Sequence, residues 1–179
     1  MNYFRKWLGT TRGSPPRVSN LEVFWSWVGA FLGIAAVALV NRLFFEGTDY
    51  VMMIGSFGAS AVLTYGAVRS PLAQPRNLVG GHVISALIGV AAFKLLHGHL
   101  WLAEASAVAT AIALMHLTKT LHPPGGATAL IAVIGSDKVH ELGFLYAFIP
   151  AGLGALILLL VALLVNNIPR TRRYPEVWF

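Results

Sequence analysis

The stretch HPPGGATAL, residues 122–130, decides how this chain must fold. It places an imidazole, two prolines and two glycines at the start of a short apolar helix, between long hydrophobic segments. Backbone this irregular is not tolerated against lipid, because an unpaired N–H or C=O group costs several kcal/mol there. At membrane depth it is found only where protein buries it or where it lines a polar cavity. The stretch therefore predicts a site inside a membrane protein.

The composition is that of an integral membrane protein. Of 179 residues, 56% are hydrophobic and 11% are charged, whereas soluble domains carry about 25% charged residues. The absence of cysteine excludes disulfides and thiolate metal sites, and we expect no metal and no other cofactor. The net charge of +6 alone would fit nucleic acid, but the charges are placed for a bilayer. We therefore expect lipid, and no nucleic acid, as a partner.

Four segments are long and apolar enough to cross a bilayer, which takes about 17–25 residues as a helix. They are residues 23–45, 79–96, 100–117 and 142–165. Two further apolar stretches, residues 51–68 and 125–135, are interrupted by glycine or too short for one regular crossing. Each is predicted to be a broken membrane segment, part extended and part helical.

The placement of charge predicts six crossings with both termini in the cytoplasm. Ten of the thirteen basic residues then lie on the cytoplasmic side, as the positive-inside rule expects. If the broken segments re-entered without crossing, Arg69 and Arg76 would lie outside and the agreement would be worse. We therefore expect a single transmembrane domain at 21–167, between cytoplasmic tails at 1–20 and 168–179.

A weak internal repeat relates the two broken segments. GASA at 58–61 matches GATA at 126–129, each within a long–broken–long unit of three segments. Because three is odd, the second unit is inverted relative to the first. The predicted fold is all-α: six membrane segments form two inverted three-segment repeats, about 21–97 and 98–167, and the second segment of each half is broken at its Gly-rich motif. Inverted repeats with broken helices are typical of transporters and channels.

The two Gly-rich motifs are candidate anion-binding sites. Proline is favoured at the first position of a helix, and a helix N-terminus offers amides and a partial positive charge of roughly +0.5 e. We expect two such termini to face each other and to hold a small anion. The predicted substrate-binding residues are Gly55, Ser56, Gly58, Ser60, His122, Gly125, Gly126, Ala127 and Thr128. The open alternative is that these are tightly packed helix breaks without a ligand.

Three basic side chains, His116, Lys119 and His122, are candidates for coupling an anion to protons. Their three-residue spacing would place them along one face if the helix persisted, and imidazole exchanges protons in the physiological pH range. For Lys119 a membrane-end anchor is the favoured interpretation, and the alternative for His122 is a helix cap or a ring that faces cytoplasmic water. His82, near the start of the third span, has the same ambiguity.

Enzyme signatures are absent from the sequence, which has no Gly-x-Ser-x-Gly, no His-Glu-x-x-His and no paired carboxylates within a span. We therefore expect no enzymatic activity and no catalytic residues; the open alternative is a membrane enzyme with His116, His122 and Glu104 as distant candidates. Gly29 and Gly33 would let a neighbouring backbone approach closely. Whether that neighbour belongs to the same chain or to a second subunit stays open, and with it a homo-oligomer.

Four motifs, in this order along the chain, carry a resemblance to a known family. They are GSFGASAVLTYG (55–66), SPLAQPRNLVGGH (70–82), LHPPGGATALIAV (121–133) and NNIPRTRRYPEVW (166–178). The chain resembles the HPP family of integral membrane proteins, named for His-Pro-Pro.

The resemblance implies a bacterial member, placed in the inner (plasma) membrane and related to plastid nitrite transporters. The implied function is a transporter or channel for a small monovalent anion, with nitrite the first candidate. The alternative is a non-transporting membrane scaffold or an anion-sensing subunit. Family members are usually described as four-helix proteins, and six segments depart from that description.

Overall fold

A computed structural model of the protein describes Trp7, residues 16–46 and residues 53–179, and every regular element in these residues is helical. The α-helices are α1 (Asn20–Val40), α2 (Ser56–Ala61), α3 (Pro75–Leu96), α4 (Leu100–Leu117), α5 (Pro123–Ile134), α6 (Asp137–Leu142) and α7 (Leu153–Val165). Short π-helical and 3₁₀ turns extend or join them: Asn41–Phe45, Val62–Gly66, Pro71–Ala73, Gly143–Ala147 and Phe148–Gly152. The prediction of an all-helical chain is confirmed for these residues. Most of the predicted tail 1–20 and the first two residues of the segment 51–68 lie outside them.

Four helical stretches of the described chain are long and apolar enough to cross a membrane. They are Asn20–Phe45, Pro75–Leu96, Leu100–Leu117 and Asp137–Val165. These stretches coincide with the four long segments predicted from the sequence. The first of them leaves Phe24, Trp27 and Phe31 exposed, as expected of a helix that faces lipid. The chain is therefore a multi-pass membrane protein.

One end of the molecule gathers the start of α1, the turn before α3, the end of α4 and the C-terminal segment. Arg172 forms a 2.7 Å ion pair with Glu22 at the start of α1. The Arg76 guanidinium donates to the Thr118 carbonyl after α4. The segments that were predicted to be cytoplasmic are thus brought together.

Helix α5 lies alongside α3 and runs away from this end of the molecule. At its start, His122 lies against Gly81, one and a half turns into α3. At its far end, the Val133 carbonyl accepts a 3.0 Å hydrogen bond from His140, whose ring stacks on Phe93 near the end of α3. The twelve residues of α5 therefore run parallel to α3 over most of its length.

Glycines let α5 and α1 approach their neighbours closely. A Cβ on Gly125 would lie 2.7 Å from the Ser85 hydroxyl oxygen and 3.0 Å from the Met115 sulfur, whereas real Cβ atoms need more room than this. The faces of Gly29 and Gly33 receive the ring of Tyr65. The close neighbour of these two glycines is therefore a residue of the same chain.

The neighbouring glycines Gly125 and Gly126 provide a matched test of this packing. The Gly125→Ala substitution should destabilise the protein by about 1–3 kcal/mol, as overpacking of a filled core does. A Cβ on Gly126 would meet only Val108, at 3.8 Å. Gly126→Ala should therefore be neutral, or stabilising by up to about 1 kcal/mol through helix propensity. Thermal unfolding in detergent measures both, and equal effects of the two changes would contradict the packing.

Candidate functional site

The centre of the molecule holds a buried chain of two imidazoles and three hydroxyls. The Ser60 hydroxyl oxygen lies 2.7 Å from Nε2 of His82 and 2.9 Å from Nε2 of His122. On the other side of the His82 ring, Nδ1 lies 2.7 Å from the Thr128 hydroxyl, which is 2.9 Å from that of Ser56. At most 1% of any of these five residues is exposed. We call this group the central polar chain.

A single carbonyl sets the direction of the hydrogen bonds along this group. Nδ1 of His122 donates to the Leu72 carbonyl oxygen at 2.8 Å, and a carbonyl can only accept, so this nitrogen carries the proton. In neutral His122, Nε2 must then accept from the Ser60 hydroxyl. The Ser60 oxygen, whose own proton is used in this way, is left to accept from Nε2–H of His82.

Three helices supply the members of the central polar chain. Ser56 and Ser60 are four residues apart on α2, so their hydroxyls lie on one face. His82 is on α3, and Thr128 is one turn into α5. Because α2 contacts α5 with Ser56 at Thr128 and Ser60 at His122, the two broken segments run antiparallel.

The His-Pro-Pro motif explains the position of His122. A residue before proline is pushed toward extended backbone, and His122 has φ −139° and ψ 105° as the N-cap of α5. The prolines occupy the first helical positions, where their missing N–H is not needed. The imidazole is thereby held below the first turn of α5 instead of on its side.

Apolar groups and backbone surround the central polar chain. The Phe57 ring stands edge-on to His82, with the ring centroids 5.4 Å apart, and its other side fills the space over Gly154. The Tyr146 hydroxyl donates to the Thr128 carbonyl at 3.2 Å. Within the described residues, the recorded partners of the five side chains are one another and backbone carbonyls. Two imidazoles are therefore held in a site without a permanent charge.

The amides of the two Gly-rich motifs have local acceptors in this conformation. The Gly58 N–H donates to the Gly55 carbonyl at 3.2 Å, and the Gly125 N–H donates to the His122 carbonyl at 2.8 Å. The two prolines at the start of α5 have no N–H to offer. The Gly58 and Gly125 amides are thus engaged locally, and the side-chain groups that converge here are imidazoles and hydroxyls.

The nine residues predicted to bind substrate occupy three different environments. Four of them join the central polar chain: Ser56, Ser60, His122 and Thr128. Gly125 is buried against α3 and α4. The other four lie on the outer side of α2 and α5: Gly55, Gly58 and Ala127 are exposed, and Gly126 is half-buried. Gly126 and Ala127 there line an apolar groove of about 630 Å³ between α4 and α5.

The other two residues predicted to couple protons lie apart from the central polar chain. α4 ends at Leu117, and Lys119 has a φ of 57° that no helix contains. His116, Lys119 and His122 therefore do not share a helix face, and the first two are exposed. The central residue that the site prediction omitted is His82. The available signal was an ionisable side chain within an apolar span, which usually faces a partner or a cavity.

Comparisons with known proteins agree with this architecture. The family model described as "HPP, transmembrane region" matches residues 15–175. Two transmembrane proteins of Dictyostelium discoideum are each 46% identical over the whole of this chain, which covers 58% and 64% of their lengths. The chain thus spans about three fifths of these curated relatives, and no solved structure matches it. Since the family model covers nearly the whole sequence, the chain belongs to the HPP family of membrane proteins.

Proposed function

We propose that this protein transports a small monovalent anion, with nitrite the first candidate, together with a proton. The observation that carries the proposal is the central polar chain, in which two titratable imidazoles are fully buried in a multi-pass membrane protein. Ionisable groups at such a depth usually mark an ion or proton pathway. The Ser60 hydroxyl oxygen links the two rings, because it lies within hydrogen-bond distance of Nε2 of both His82 and His122.

The neutrality of the site supports the coupling of the anion to a proton. An anion that leaves water for an apolar interior needs a compensating charge, because an unpaired buried charge is very costly. In the described part of the chain, the hydrogen-bond partners of the two imidazoles include no lysine or arginine. Protonation of an imidazole supplies the missing charge at the moment when the anion enters. One proton then accompanies one anion, and the combined step moves no net charge.

The Leu72 carbonyl closes one end of the path in this conformation. A proton that reaches Nε2 of His122 can leave only from Nδ1, which points at a carbonyl that does not take up a proton. Transport therefore requires that this hydrogen bond be released. The described conformation corresponds to a closed state of the cycle, and the end near Leu72 is one of its gates.

The proposed architecture is the six-segment inverted repeat, with both termini cytoplasmic in the inner (plasma) membrane of a bacterium. Two observations support it. Ser60 and Thr128, at matching positions of the two GxxA-type motifs, bond opposite nitrogens of one ring, His82. In addition, α1 packs against α7 and α2, as α4 packs against α3 and α5, which is the pairing that two equivalent halves require. Enzymatic turnover, a cofactor and nucleic acid have no place in the proposal.

A non-transporting scaffold or anion-sensing subunit is the second candidate. The observation that favours it is the saturation of the central polar chain, since each imidazole nitrogen already has a protein partner. A fully satisfied network of this kind can have a purely structural role, in which it specifies one packing of the helices. Flux through the purified protein separates the two functions.

Proteoliposomes that contain only this protein should take up nitrite faster when an inward proton gradient is imposed. His122→Ala and Ser60→Ala should each lower the gradient-driven uptake at least about tenfold, as loss of a general acid–base group does. His116→Ala is the matched control, because His116 is exposed and outside the central polar chain. Uptake in all three variants equal to that of the parent would remove the imidazoles from the mechanism. Absence of uptake above empty liposomes, with nitrite, nitrate and formate alike, would favour the scaffold or sensor.

The hydrogen-bond directions can be tested without transport. In protein labelled with ¹⁵N-histidine at neutral pH, His122 should appear as the Nδ1–H tautomer and His82 as the Nε2–H tautomer, because Leu72 accepts from the first of these. Spectra of His82→Ala and His122→Ala assign the two signals. The same tautomer in both rings, or two doubly protonated rings, would contradict the order of donors derived from Leu72.

A further inference from the structure

The C-terminal segment, residues 166–177, folds back over the Leu72 end of the central polar chain. The Tyr174 hydroxyl donates to the Ala73 carbonyl at 2.8 Å, and the Glu176 amide donates to Oε1 of Gln74 at 2.9 Å. Ala73 and Gln74 are 0% and 2% exposed. This C-terminal segment, called the tail below, thus covers the residues that follow Leu72.

Gln74 ties the covered turn together. Its Nε2 donates to the Val68 carbonyl at 3.1 Å and to the Ser70 carbonyl at 2.9 Å, while its Oε1 faces the tail. One buried side chain therefore holds both ends of the 3₁₀ turn Pro71–Ala73 and the segment that lies over it. The position of the Leu72 carbonyl within that turn depends on these bonds.

The tail is itself anchored to the transmembrane helices. The Arg172 guanidinium, with 3% of its side chain exposed, pairs with Glu22 at 2.7 Å. It also donates to the Ser26 hydroxyl at 2.8 Å and to Oδ1 of Asn166 at 3.1 Å. Nδ2 of Asn166 donates a hydrogen bond to the Thr64 carbonyl at 3.1 Å. The tail is therefore part of the packed structure at this end.

Burial keeps the Tyr174 hydroxyl a donor. The ring is 2% exposed, and loss of contact with water raises the pKa of the Tyr174 phenol above its ordinary value. The proton that donates to the Ala73 carbonyl is therefore retained across physiological pH. A change of pH within that range therefore does not remove the contact between tail and turn.

We propose that residues 166–177 are an inner latch for the histidine path. While the latch is docked, Tyr174 and Gln74 hold the 3₁₀ turn where the Leu72 carbonyl receives Nδ1–H of His122. Undocking moves the carbonyl away and frees that nitrogen to exchange its proton with water. Tyr174 and Gln74 are positioning residues, because they act on His122 only through the turn. The role in gating rests on the proposed transport, whereas the docking itself does not.

A cysteine in the central polar chain reports whether the latch is docked. The chain has no native cysteine, so a Ser60→Cys protein reconstituted in nanodiscs carries one thiol. A water-soluble methanethiosulfonate reagent should label it slowly, because residue 60 is fully buried. Adding Tyr174→Phe removes one hydrogen bond and should speed labelling about fivefold, the change in an opening equilibrium that one net hydrogen bond gives.

A second pair of variants keeps the test independent of the Tyr174 ring. Glu176→Pro removes the shorter of the two amide hydrogen bonds to Oε1 of Gln74, 2.9 Å against 3.5 Å from Val177, and should also speed labelling. Glu176→Ala keeps that amide and loses only an exposed 3.9 Å ion pair with Arg69, which contributes little, so it should not. Arg173→Ala changes an exposed residue of the same segment and is a further control. We expect it to be labelled at the same rate as the Ser60→Cys parent. Equal labelling in Tyr174→Phe, Glu176→Pro and the parent, with unchanged unfolding temperatures, would overturn the latch.

The latch proposal and the transport proposal can be contradicted independently of each other. Faster labelling of the tail variants, combined with no anion flux through the native protein, would support the latch and remove the transport proposal. Flux through the native protein, combined with labelling that does not change in the tail variants, would support transport and remove the latch.

Discussion

The imidazole of His82 lies between two hydroxyls from two different broken segments, and the rest of the structure depends on that arrangement. Polar groups at membrane depth are tolerated only when protein satisfies them. α2 and α5 are both too short to cross a bilayer as regular helices, and each brings one hydroxyl to the same ring. The ring thereby fixes the two segments against each other and α3 against both. Removal of any one of these groups leaves a buried partner unpaired, which is costlier than the bond itself.

Much of the fold could be predicted because bilayers impose simple rules on length and charge. The four long segments were found within a few residues of their observed bounds, since hydrophobicity sustained over such lengths has one common explanation. The helical turn that begins at Pro123 was also predicted, because proline favours the first position of a helix. The points at which individual helices end were harder to predict from the sequence. The helix before His122 was allowed to persist, whereas α4 ends at Leu117 and residues 118–122 follow an irregular path.

The site was predicted in part, and the reason lies in the difference between local and long-range information. Ser60, Thr128 and His122 were identified because they belong to motifs with unusual local sequence. His82 lies 22 residues from Ser60 and 46 from Thr128, and nothing in the sequence around it states that its two nitrogens meet those hydroxyls. The amides of the Gly-rich motifs were assigned to an anion because helix N-termini favour one. Local carbonyls accept from the Gly58 and Gly125 amides, a pairing that depends on the backbone path of each turn and cannot be read from the sequence.

The tail, the 3₁₀ turn and the central polar chain form a series in which each bond is individually weak. A net hydrogen bond contributes about 0.5–1.5 kcal/mol, so the contact of Tyr174 with the turn can break often without loss of the fold. The bonds among His82, Ser60 and Thr128 differ, because they are fully buried and their loss leaves several groups unpaired together. Movement is therefore cheapest at the turn and most costly at the centre. The proposed transport would use this distribution: a site that stays fixed, and a gate that opens by breaking few bonds. The polar contacts that are most costly to break lie among His82, Ser60 and Thr128, and the least costly lie at the Leu72 end, so in the proposed cycle the opening step is expected at the Leu72 end.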